Sequence, residues 1–149
     1  MIVRWLLATL HLLALPLGLG AVWMRGRALR AAKSAADLGG AFVADNLWGL
    51  AAILWIATGL LRAFGGFEKG RAYYVHDRMF QVKMGLLVLI LILEIRPMIT
   101  LVRWRIRAGR NAPIDASSAA VLAQISFFQA ILVVLMVAAA TAVARGYLY

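Results

Sequence analysis

The sequence predicts an all-α membrane protein, a polytopic four-helix bundle running up-down-up-down. Three observations carry that prediction. The 149 residues are 64% hydrophobic, with a mean hydropathy of +0.88. Four apolar runs, Ile2 to Met24, Ala41 to Leu61, Met79 to Val102 and Ala119 to Ala144, occupy most of the chain. Each supplies the roughly 20 mostly apolar residues that a helix needs to cross about 30 Å of hydrocarbon. Backbone amides in lipid must be hydrogen-bonded inside closed structure, which leaves helices or barrels. A barrel strand would alternate apolar and polar residues over segments of about 10, and no window here does. So little polar sequence remains that one membrane domain, residues 1–149, is expected.

Span one, 2–24, begins after Met1 and carries Arg4 ahead of its apolar run. A cleaved secretory signal is not expected. The run is too long, no small-x-small site closes it, and Arg25, Arg27, Arg30 and Lys33 follow as a stop-transfer pattern. Within the span, His11 lies nine residues after Ile2, about 13 Å along the helix and far from either surface. An imidazole cannot reach water from there, so it must hydrogen-bond a neighbour or bind a metal. Ala8, Ala14 and Gly18 share its face and would let another helix approach closely.

Span two, 41–61, opens with Asp45 and Asn46 and contains Trp48 and Trp55. The loop that follows holds Gly65, Gly66, Gly70, Tyr73, Tyr74 and His76, and reads as an interfacial turn. Tyrosine and tryptophan favour headgroup level. Tyr73, Tyr74, Tyr147, Tyr149 and Trp5 are therefore assigned to one interface, and Trp23, Trp48 and Trp104 to the other.

Span three, 79–102, cannot avoid immersing an ionisable group. Lys83 and Glu94 are eleven residues apart, about 16 Å along a helix and close to one face. Lys83 either carries its ammonium to the surface on its long stem or faces the bundle. Glu94 and Arg96 fall near the depth of Asp45, and an ion pair such as Asp45 with Arg96 is expected. Pro97 either kinks the helix or marks its last deeply buried turn. Span four, 119–144, carries Gln129 at a depth comparable to that of His11, so an interhelical hydrogen bond between the two is one expectation. Asp45, Glu94, Arg96 and Gln129 are thus candidate structural polar residues.

Several classes of function fall away. With no cysteine, disulfides, thiol catalysis and thiolate-held clusters are excluded. No P-loop, Ser/His/Asp set or zinc motif is present, and the methionines are scattered across depths. The net charge of +10 does not indicate nucleic acid. Arg103, Arg105, Arg107 and Arg110 follow a span directly, where basic residues hold a loop in the cytoplasm and meet anionic headgroups. Loops one and three together carry nine basic residues against six for the other side, so both termini are expected outside the cytoplasm.

Leu10-His11, the segment Asp45 to Leu61 (DNLWGLAAILWIATGLL) and Ala72 to Lys83 (AYYVHDRMFQVK) resemble a bacterial family of four-helix membrane proteins of unknown function, over nearly the whole chain. That resemblance implies an architecture and a place in the bacterial inner membrane. More distantly, the chain is similar to HemJ-type protoporphyrinogen oxidases and to CopD-like membrane proteins. His11 matches the HemJ-type histidine, Arg27 falls at the offset of an arginine there, and Lys83 matches its lysine; Gly18 stands where that family commonly has a tryptophan. The resemblance implies haem b as cofactor, His11 as the iron ligand, Arg27 as a second cofactor anchor and Lys83 as the catalytic residue. Three functions stay open: a haem-b redox protein, a non-enzymatic structural or interaction subunit, or a small ion or proton pathway lined by His11, Lys83 and Glu94. Expected partners are the lipid bilayer with a porphyrin, another membrane protein or a second copy of the chain.

Overall fold

The computed structural model describes residues 1–65 and 78–145. Among them the chain forms four long helices and no strand: α1, Ile2–Ala31; α2, Gly39–Phe64; α3, Arg78–Gly109; and α4, Ala119–Arg145. All four are long and apolar enough to cross a membrane. Tyr73, Tyr74, His76, Tyr147 and Tyr149, assigned above to a loop or an interface, lie outside the described residues.

The helices outrun the hydropathy-defined spans where charge follows apolar sequence. Helix α1 continues seven residues past Met24 to Ala31 and α3 seven past Val102 to Gly109. Arginine is a good helix former, so hydropathy ends before the helix does. Pro16 and Pro97 both sit inside continuous helices, and α3 runs on for twelve residues beyond Pro97, whose ring is buried. Two local devices close the ends. Ser34 and Asp37 form a capping box around a 3-10 turn, Ala35–Leu38, between α1 and α2. Helix α3 stops in a Schellman turn, with Asn111 at φ 52° and the amides of Asn111 and Ala112 bonded to the carbonyls of Ala108 and Arg107. Asparagine tolerates that left-handed conformation better than most residues.

Cross-helix bonds fix the topology. Residue 11 of α1 meets 55 and 58 of α2, while residue 25 meets 45, so these two helices are antiparallel. Residue 25 also meets 94 of α3 and 126 and 129 of α4. Residue 11 shares a cleft with 83 of α3 and 140 of α4. Helices α1 and α3 therefore run one way and α2 and α4 the other, which is the up-down-up-down order. Helix α1 packs on α2 and α4, and α4 on α3.

Ala14, Ala21, Val22, Trp48, Ile90, Ala130, Val133 and Met136 fill the middle of the core, with small residues on α1 admitting the large indoles of α2. A Cβ at Gly18 would stand 3.3 Å from Ala51 and 3.4 Å from Trp48, so that face is packed backbone to side chain. A second cluster, Leu29, Leu38, Leu101, Trp104, Leu122 and neighbours, closes the end where α1 and α3 finish. Trp48 and Trp104 are 4% and 5% exposed and pack in the core. Trp5 and Trp23 do face outward, at 65% and 50%. The outer surface is apolar along every helix, with Leu13, Ile53, Ile92 and Ile131 among its exposed residues, as a lipid-facing bundle requires.

Candidate functional site

Among the described residues two polar layers cross the bundle. They are 14 residues apart on α1, or about 21 Å, and the apolar middle of the core separates them.

The first is built around His11. On α2, Trp55, Thr58 and Gly59 fall at i, i+3 and i+4, hence on one face. The Trp55 indole Nε1 donates to His11 Nε2 at 3.0 Å, and His11 Nδ1 lies 2.9 Å from Thr58 Oγ1. The Thr58 hydroxyl donates to the Leu54 carbonyl at 2.6 Å. An indole is only a donor, so Nε2 must be the unprotonated nitrogen. The ring is therefore neutral, with its proton on Nδ1 donated to Thr58. Gly59 makes room for it: a Cβ there would stand 3.2 Å from His11 Cε1. The indole also leans on the imidazole, with ring centroids 5.9 Å apart.

This layer borders open space. His11, Trp55, Gly59, Phe80 and Lys83 line both a narrow pocket of about 50 Å³ and a cleft of about 460 Å³. Arg62 and Thr141 join the wider cleft, whose remaining walls are apolar. His11 and Lys83, singled out separately from the sequence, thus open onto a common space from α1 and α3.

The second layer is built around Arg25, whose side chain is fully buried. All five of its N–H donors are taken. Nη1 and Nη2 grip the Glu94 carboxylate in a fork at 2.7 and 2.8 Å. Nη1 also reaches Asp45 at 2.7 Å, Nη2 reaches Gln129 Oε1 at 2.8 Å, and Nε reaches Ser126 at 3.0 Å. The Gln129 amide nitrogen donates in turn to Glu94 at 2.9 Å and to the Ile90 carbonyl at 3.2 Å. The second Asp45 oxygen accepts from Arg105 Nη2 at 2.7 Å. Two arginines and two carboxylates balance in charge, and every helix contributes a member. Such a knot holds only while it is complete, because removing one buried partner strands the others.

Three expectations are corrected here. Gln129 pairs with Arg25 and Glu94 rather than with His11, since the layers lie at different depths. Asp45 pairs with Arg25 and Arg105, not with Arg96, which is exposed on α3. Arg25 itself, counted above as a loop charge, is the centre of the knot. The signal was available: Ala14, Gly18, Ala21, Val22 and Leu29 mark the buried face of α1, and Arg25 continues that stripe at helical spacing. Arg27, two residues on, is exposed at the same end of the bundle, and sixteen residues of helix, about 24 Å, separate it from His11.

Among the described residues no cluster of three or more His, Cys, Asp or Glu is placed to hold a metal ion. The model of the family described as predicted membrane protein (DUF2214) matches residues 3–147. No curated protein and no solved structure matches the chain. The protein belongs to that membrane protein family.

Proposed function

We propose that this member of the family is a haem-b-binding redox protein of the bacterial inner membrane, with its site in the cleft beside His11. The observation that carries the proposal is the tautomer. With Nδ1–H committed to Thr58, the ring's lone pair lies at Nε2, where it now accepts from Trp55 Nε1, and Thr58 supplies the outer-shell acceptor that orients metal-binding imidazoles elsewhere. The donor set fits the group in two further respects. The cleft volume of about 460 Å³ falls in the range of ligand pockets, about 300–1,000 Å³. Its walls are apolar apart from a few polar groups, among which Lys83 and Arg62 are cations suited to porphyrin carboxylates. The resemblance of His11 and Lys83 to HemJ-type positions points the same way.

In this reading His11 Nε2 would hold the iron in place of the bond it now accepts from Trp55 Nε1. Lys83 and Arg62 would bind and orient carboxylates at the cleft, and Phe80, Gly59 and Trp55, which line it, would keep water from the bound group. Bound haem would supply one-electron chemistry whose potential depends on the axial ligand and on burial. Arg27 plays no part at this cleft and is a cation of the opposite end. Loops one and three face the cytoplasm in this proposal.

A second reading, a non-enzymatic structural or interaction subunit, is favoured by the knot at Arg25, in which every donor of the central guanidinium is already used. An absorbance spectrum separates the two. Protein purified in detergent with haem supplied should show a Soret band that His11→Ala abolishes while the protein stays folded. A folded, colourless wild-type preparation would reject the haem reading and leave the structural one.

A further inference from the structure

Where α1 and α3 end, the last turns of α3 and the segment after it enclose a cleft of about 520 Å³, with Arg103, Arg107 and Arg110 in its wall. Arg103 and Arg107 are one helical turn apart, on one side of α3. Arg110 follows at the Schellman turn, whose bonds from Arg110, Asn111 and Ala112 back to Arg107 and Ala108 fix it near the other two. All three side chains are exposed. Unlike Arg25 and Arg105, none has a carboxylate within ion-pair distance among the described residues. The one acid in the wall, Asp115, accepts the Ser117 amide at 2.9 Å. The cleft therefore carries an excess of two positive charges.

Its position selects the kind of anion. Val102 and Ile106, on the same turns, are 43% and 50% exposed, and Ile106 with the buried Trp104 lines the cleft itself. Here the apolar outer belt gives way to guanidinium groups, the change of chemistry that occurs at headgroup level in a bilayer. Guanidinium groups bind phosphate oxygens in a fork, and the apolar flank suits acyl chains. We propose that this cleft seats the phosphate group of an acidic membrane lipid.

The test is lipid retention by the full-length protein in detergent, titrated with phosphatidylglycerol or phosphatidylcholine and read by native mass spectrometry. Wild type should retain phosphatidylglycerol in preference. Each of Arg103→Gln, Arg107→Gln and Arg110→Gln should weaken that retention about fivefold. Arg27→Gln, which removes an exposed charge at the same end of the bundle, should change it by less than about twofold. Equal retention of the two lipids would overturn the proposal, as would an Arg27→Gln effect equal to that of Arg107→Gln, which would mean diffuse surface charge. Displacement of the lipid by an equal concentration of inorganic phosphate would also overturn it, marking a site for the free anion.

Discussion

The His11 layer and the Arg25 layer are made from similar materials and differ in how they are closed. At Arg25, itself fully buried, five donors meet two largely buried carboxylates, an amide and a hydroxyl, and Arg105 completes the charge balance. At His11, a neutral ring bridges two side chains of one neighbouring helix, on the edge of a cleft. The Arg25 network joins all four helices and uses every donor of its central guanidinium. A bridge beside a cleft costs less to open, and Nε2 becomes available to a ligand only when Trp55 gives up its bond. Stability should therefore reside in one layer and binding in the other.

That division can be broken by substitution. The largest effect is expected of Arg25→Ala, which strands Asp45 and Glu94 and should cost about 3–5 kcal/mol, seen as loss of the folded bundle in a denaturant titration. Arg25→Lys should recover little of it, since an ammonium cannot form the fork. Glu94→Gln keeps shape and loses charge, and should cost about 1.5–3 kcal/mol in the same titration. Thr58→Val sharpens the comparison from the other side. Interhelical hydrogen bonds in membranes average about 0.6 kcal/mol, so folding should scarcely change. Haem affinity should nonetheless fall about 10–100-fold, measured by Soret titration. A Thr58→Val variant that unfolds while keeping its affinity would reverse the assignment of roles.

The smallest effect concerns Asp115, outside both layers. The amide and hydroxyl of Ser117 hold its carboxylate below the ordinary value, with the charge of Arg107 adding to this. A depressed folded pKa stabilises above the unfolded value, near pH 4, and the contribution is lost as the pH falls through the folded value. Asp115→Asn should therefore lower the unfolding temperature slightly between pH 6 and 8, and its difference from wild type should disappear in the acid limb, below the folded pKa of Asp115.

The spans were legible because lipid imposes length and hydropathy on them, and both can be counted along the chain. Their polar partners were not legible to the same degree. Asp45, Glu94, Gln129 and His11 stood out as costly to immerse, but partnership depends on relative depth, and depth was set from span limits that hydropathy drew too short. Ending span one at Met24 turned Arg25 into a loop charge and left Gln129 to be matched with His11. Which way an indole points was not legible either: Gly18, Ala51 and other small residues make space for Trp48 inside the bundle. The periodic stripe of small residues on α1, extended one more turn, is the pattern that would have brought Arg25 into the core.

Thermal unfolding with and without added haem tests the division of labour most directly, because a ligand that binds the folded state raises its stability by mass action. The account predicts that haem raises the unfolding temperature of wild type, that His11→Ala folds with nearly the wild-type midpoint but shows no rise, and that Arg25→Ala is destabilised before any haem is added. An equal haem-induced rise in wild type and His11→Ala, or an Arg25→Ala protein as stable as wild type, would contradict it.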